Sequence, residues 1–82
     1  MGKNTNEYGN GVTPVKVPMP GLIIRFNVKV GDKVKAGDNI AVMEAMKMEI
    51  DLPSPVDGTV KTINFNNGDN VARDDVLTII GD

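Results

Sequence analysis

The 82-residue chain has no cysteine, no histidine and no tryptophan, and its only aromatic residues are one tyrosine and two phenylalanines. Each absence removes a class of function. Without cysteine there is neither a disulfide framework nor a thiolate metal site to stabilise a small domain. Without histidine the chain lacks the usual general base, a phosphohistidine carrier and the commonest zinc ligand. No catalytic residue and no metal site is therefore expected. With so few aromatics and no basic cluster, nucleic-acid binding is not expected either. No apolar run approaches the ~20 residues of a membrane span, and no secretory apolar segment opens the chain. The expected compartment is the cytoplasm, which suits a chain without cysteine.

What remains is a mildly acidic composition: 9 Lys and Arg against 11 Asp and Glu, a net charge of −2. The carboxylates are scattered, and they read as a solvated, solubilising surface. The length allows one domain. So small a domain buries only about 60 to 65% of its unfolded surface, so its stability must come from a compact sheet core.

Met1 to Gly11 is rich in asparagine and glycine and almost devoid of apolar residues. It reads as a flexible tail, a linker stub or an expression artefact, with the domain spanning residues 12–82. Val15 and Val17 alternate with Lys16 as a first strand, which Pro18-Met19-Pro20-Gly21 then breaks. From Gly21 the apolar residues Leu22, Ile24, Phe26, Val28 and Val30 fall on one face and Arg25, Asn27 and Lys29 on the other. Gly31-Asp32 turns the chain, Val34 anchors a very short strand, and Gly37-Asp38 turns again into Ile40-Ala41-Val42-Met43. The glycines at 21, 31, 37, 58 and 68 are expected to permit turns. No segment has capped helical spacing, so the fold class is all-β.

The second half repeats the first. Gly58 follows Gly21 by 37 positions (58 − 21), and Gly68-Asp69 stands in the same relation to Gly31-Asp32. So do Pro55 to Pro18, Asn64 to Asn27, Val71 to Val34 and Asp75 to Asp38, with the apolar pairs Phe26/Ile63, Val28/Phe65, Ile40/Leu77 and Val42/Ile79. Two copies make a pseudo-twofold single domain and not a solenoid. Ile23 and Val60 are both apolar on the nominally outward phase, and Lys61 falls on the inward phase. A strand that bends from one sheet into another has this signature. The pattern predicts two small antiparallel sheets of about four short strands each.

Where the halves meet stands Glu44-Ala45-Met46-Lys47-Met48-Glu49. Ile40–Met43 before it and Met48–Leu52 after it read as strands, which places Lys47 at or beside a hairpin tip. Tight hairpins favour Asn-Gly or Gly-Gly, because their central residues need φ > 0. Met46-Lys47 is neither. Taken alone, a surface lysine is a solvated charge and a methionine is core filler. Here the turn chemistry indicates that something besides folding selects these residues.

The six residues resemble the E-A-M-K-M-E attachment motif of biotin carboxyl carrier domains, in the biotinyl/lipoyl attachment family. Pro18-Met19-Pro20-Gly21 and Ser54-Pro55-Val56-Asp57-Gly58-Thr59-Val60 match its flanks, and the likeness runs from about Thr13 to Ile80. The resemblance implies a flattened barrel of two four-stranded antiparallel sheets (a barrel-sandwich hybrid), with the hairpin at one end and the termini near the other. It implies covalent biotin on Lys47, through an amide bond to the ε-amine. It also makes Met46, Met48, Ala45, Glu44 and Glu49 the motif residues for recognition. The lysyl-biotin arm would be roughly 12 to 15 Å long by standard bond lengths, moving a carboxyl group between partner active sites of a carboxylase or decarboxylase. The implied partners are a biotin protein ligase and the biotin carboxylase and/or carboxyltransferase subunits. A decarboxylase complex would put the domain at the inner face of a membrane. Two departures point away from the acetyl-CoA carboxylase type of carrier: there is no room for an inserted thumb between Val28 and Val34, and Ile50 replaces a common asparagine.

Rival readings differ at single features. A lipoyl carrier usually has Asp-Lys-Ala where this chain has Met46-Lys47-Met48. An unmodified adaptor barrel would carry no covalent mass. A free-standing enzyme would need a catalytic constellation that the composition does not supply.

Overall fold

The computed structural model describes residues 11–82, so the expected tail, Met1–Gly11, lies outside the described residues except for Gly11. Every regular element is a strand: β1 (Val12–Lys16), β2 (Gly21–Phe26), β3 (Lys33–Val34), β4 (Asn39–Ala45), β5 (Met48–Pro53), β6 (Gly58–Ile63), β7 (Asn70–Val71) and β8 (Val76–Gly81). They form two four-stranded sheets, ordered β1-β8-β6-β3 and β5-β4-β2-β7, with every pairing antiparallel. Advancing the sequence by 37 positions converts β1–β4 into β5–β8, and one sheet order into the other. This is the all-β, pseudo-twofold pair of sheets that the repeat predicts, and the flattened barrel-sandwich that the resemblance implies.

The inner faces supply the core in pairs related by the same offset: Ile23 with Val60, Val34 with Val71, Ile40 with Leu77, Met43 with Ile80. Each large side chain buried there contributes roughly 1.5–3 kcal/mol relative to exposure. Phe26, Val28, Ile63 and Phe65 pack against this core from its margins. Thr78 is the buried polar counterpart of Ala41, and its hydroxyl donates to the Thr62 carbonyl. Ser54, the counterpart of Val17, donates to the Val56 carbonyl at 2.6 Å. Both groups thus avoid the cost of an unpartnered buried hydroxyl.

The second strand is shorter than the alternation suggests, and its inward residue differs. β2 ends at Phe26 and Val30 is exposed. Ile23 is fully buried, whereas Leu22 and Ile24 are only half-buried. A bulge accounts for this: the β2–β4 register shifts between Ile23 and Arg25, and the β6–β8 register shifts at the equivalent place, between Val60 and Thr62. One extra residue inverts the alternation on either side of it. Lys61 is the bulged residue of the second copy, so it is exposed and not inward. A second pair of shifts, at Ile40 and Leu77, is equally symmetric.

Four turns hold the sheets together, and all are built alike. In Lys29–Asp32, Lys35–Asp38, Asn66–Asp69 and Ala72–Asp75 the last N–H donates to the first carbonyl at 2.9 to 3.1 Å. The closing aspartate accepts from the first N–H at 2.8 or 2.9 Å. The third residue has φ between +71° and +98°, the left-handed position of a type II turn. Glycine occupies it three times, and Asp74 once. Each turn also clamps one core residue through its backbone, namely Val60, Ser54, Ile23 and Val17 in that order. These four aspartates are structural, which corrects their reading as merely solubilising charge. Gly21 and Gly58 are corrected in the other direction. They open β2 and β6, and a Cβ there would strike the Glu44 carbonyl oxygen and the Gly81 carbonyl oxygen respectively. They permit close strand approach and not turns.

Candidate functional site

β4 and β5 pair from Asn39↔Pro53 up to Ala45↔Met48, so Met46 and Lys47 are the two residues of the connecting turn. Their φ angles are +53° and +65°. Both central residues are thus left-handed, as a type I′ hairpin turn demands. For residues with a Cβ this costs about 1–2 kcal/mol each. The unbroken part of the β4–β5 ladder, from Ala41 to Ala45, holds the turn closed against that cost, and strain of this kind concentrates at functional sites.

What is presented is a single primary amine between two thioethers. Lys47 is exposed, Met46 is 86% exposed and Met48 is 65% exposed. Glu44 and Glu49 face each other directly across the ladder, both exposed. Like charges so placed disfavour the hairpin slightly, which again sets residue choice against local stability. Ala45 is the exception within the motif. It is buried, and its Cβ lies 3.3 Å from where a Cβ on Gly21 would stand.

The base of the hairpin is set by residues that the pattern of the sequence alone does not mark. Met43 is fully buried, and its Cε would lie 2.6 Å from a Gly21 Cβ. Gly21 therefore lets β2 lie against Met43, Glu44 and Ala45, just beneath the tip. The counterpart of Gly21, Gly58, lies in the same way against Gly81, the counterpart of Glu44.

The site is convex. A groove of about 390 Å³ bordered by Lys33, Lys35, Asp57 and Thr59 lies beside Gly58 and not beside Lys47. The chain path separates the two regions. β2 starts beneath the hairpin, and the Gly31 N–H reaches the carbonyl of Val60, whose β8 partner is Ile80 next to the C terminus. Among the described residues, no group of three or more acidic side chains is arranged to hold a metal ion, and no helix is long and apolar enough to cross a membrane. A protruding amine of this kind suits covalent attachment of a group that other proteins then handle.

Comparison with known proteins gives the family. The chain is 44% identical over 59 residues to a pyruvate carboxylase of Staphylococcus aureus, covering 72% of this chain and 5% of that one. It is 37% identical over 62 residues to the dihydrolipoyllysine-residue acetyltransferase component of the pyruvate dehydrogenase complex of Acholeplasma laidlawii, covering 76% of this chain and 11% of that one. The crystal structure of the Kluyveromyces lactis urea carboxylase superposes with a TM-score of 0.83 at 32% identity, covering 95% of this chain and 7% of the other. The chain thus spans only a small part of the length of these relatives. A family model described as a biotin-requiring enzyme matches residues 13–80. On that match, the chain belongs to the biotin/lipoyl attachment family.

Proposed function

We propose that the chain is a biotin carboxyl carrier domain with Lys47 Nζ as its single attachment point and no catalytic step of its own. The observation that carries this reading is the left-handed Met46-Lys47 turn. Two residues that fit the backbone poorly occupy the place where one exposed amine stands between two exposed methionines. The amine is sterically free, so the residues present fit an amide-linked biotin. Once bound, biotin supplies a ureido nitrogen that carries a carboxyl group.

The chain's own residues hold and display. Activation of the Lys47 amine as a nucleophile is left to a biotin protein ligase. Met46 and Met48 offer apolar surface to that ligase and later to biotin carboxylase and/or carboxyltransferase subunits. Glu44 and Glu49 offer charge to basic groups on the same partners. Gly21, Ala45 and Met43 fix the base of the hairpin, so the lysine is displayed from a rigid platform while its own side chain moves. The parent system is a cytoplasmic carboxylase or decarboxylase acting on an acyl-CoA or keto acid.

Incubation with a biotin ligase, ATP and biotin should add one biotinyl mass, and Lys47→Arg should abolish it while leaving the melting temperature unchanged. Label on Lys33 or Lys61 would sink the assignment. The likeness to a dihydrolipoyllysine acetyltransferase component supports a second reading, a lipoyl carrier. A lipoate ligase offered the same chain decides between them. The methionine flanks favour biotin, so little or no lipoyl mass is expected.

A further inference from the structure

We propose that the hairpin is also a methionine-oxidation site, at which peroxide converts the Met46 and Met48 thioethers to sulfoxides and so closes Lys47 to its ligase. The proposal rests on Lys47 being the biotin acceptor. Its own observation is a sharp division among the four described methionines. Met43 is completely buried and Met19 is half-buried, whereas Met46 and Met48 are 86% and 65% exposed and flank the lysine on both sides. Among the described residues, the other exposed large apolar side chain, Val30, belongs to the Lys29–Asp32 turn.

Methionine oxidation follows access to the sulfur. A lone pair on Sδ attacks one peroxide oxygen, the O–O bond breaks as the S–O bond forms, and the departing hydroxide takes the proton of the new S–OH group, leaving the sulfoxide and water. The sulfur loses two electrons and the peroxide gains them. Each event turns a flexible apolar side chain into a polar, chiral one with a strong acceptor oxygen. In solvent this costs the fold little, because neither side chain is packed in the core. In a ligase pocket that receives apolar side chains, the new oxygens must be stripped of water without a partner. The change is reversible, since methionine sulfoxide reductases restore the thioether. Unmodified chains would then remain unloaded while peroxide persists and become acceptors again after reduction.

The test uses the unbiotinylated 82-residue chain, treated with hydrogen peroxide that is then removed with catalase. Peptide mass mapping should find one added oxygen on Met46 and one on Met48, with Met43 unchanged while the chain stays folded. The melting temperature should not move. Ligase kcat/KM for the acceptor should fall by more than about threefold, mainly through KM, and treatment with methionine sulfoxide reductase should restore it. In the Met46→Leu, Met48→Leu variant the rate, whatever its starting value, should be the same before and after peroxide. Oxidation of Met43 as fast as Met46 overturns the proposal. So does a smaller fall in kcat/KM, a loss that reduction does not reverse, or equal sensitivity in the leucine variant. If the ligase ignores even the untreated chain, the acceptor reading fails and takes this proposal with it. A treated chain loaded like the untreated one sinks the proposal alone.

Discussion

The four aspartate turns and the Met46-Lys47 turn solve the same geometric problem with opposite chemistry. In the first group each left-handed residue is glycine, or in one case Asp74, and each closing aspartate satisfies a backbone N–H. Residue and backbone agree. In the hairpin two side chains with a full Cβ and long flexible stems are forced into the same region, and two like charges oppose each other at its base. Residue and backbone disagree. Turns of the first kind are explained by the fold alone; the second kind is not.

If that contrast is right, stability and acceptor activity must separate under mutation. The largest effect should come from Gly21→Ala and Gly58→Ala, which put a Cβ into backbone at equivalent places in the two halves. Each should cost roughly 1–3 kcal/mol in chemical denaturation, as overpacking does. Only Gly21→Ala should also slow biotin transfer under conditions where both variants remain folded, because only Gly21 underlies the hairpin. Equal transfer rates would mean that the platform does not position Lys47.

Next in size are Gly31→Ala and Gly68→Ala. A Cβ there meets nothing within 4 Å, so the whole penalty is the left-handed backbone, about 1 kcal/mol or more. Both variants should remain full biotin acceptors. A loss of acceptor activity in either would show that turns and hairpin are not independent. The smallest changes should have the opposite sign. Asp74→Gly, and the pair Met46→Asn with Lys47→Gly, relieve left-handed strain and should raise stability by roughly 0.5–1 kcal/mol. The pair also removes the amine, so a more stable domain that takes no biotin is the expected product. A destabilised product would mean that Met46 or Lys47 is held by packing after all.

Much of this was legible in the sequence because the halves repeat. The offset that aligns Gly31 with Gly68 and Ile40 with Leu77 also gave the sheet arrangement, and the misplaced apolar residues Ile23 and Val60 marked a bend. The second pair of bulges left no trace, since Ile40 and Leu77 are apolar and both buried, and apolar residues are expected there in any register. Asp74 escaped notice because aspartate tolerates the left-handed region without advertising it as glycine does. The clamping aspartates were hidden for a related reason. A carboxylate that accepts from a backbone N–H three residues away looks, in a sequence, like any surface charge. Gly21 and Gly58 could be seen, but not what they touch, because close approach between strands is a property of pairs far apart in the chain. For the hairpin, the strand patterns on either side placed Lys47 at or beside the tip, and the exposure of its methionine neighbours required coordinates.

The rims of the two sheets have a bearing on how such a domain behaves in company. Each sheet ends on one side in a strand of two residues, β3 or β7, too short to template a further strand. On the other side lies a longer strand, β1 or β5. β1 contains Pro14, which has no N–H to offer a newcomer, and β5 carries Glu49 and Asp51 and ends at Pro53. Proline and charge at a rim are what prevent sheets from growing sideways into one another. Under the proposed carrier function, described edges so guarded would keep copies of the domain from zipping together while other proteins handle it.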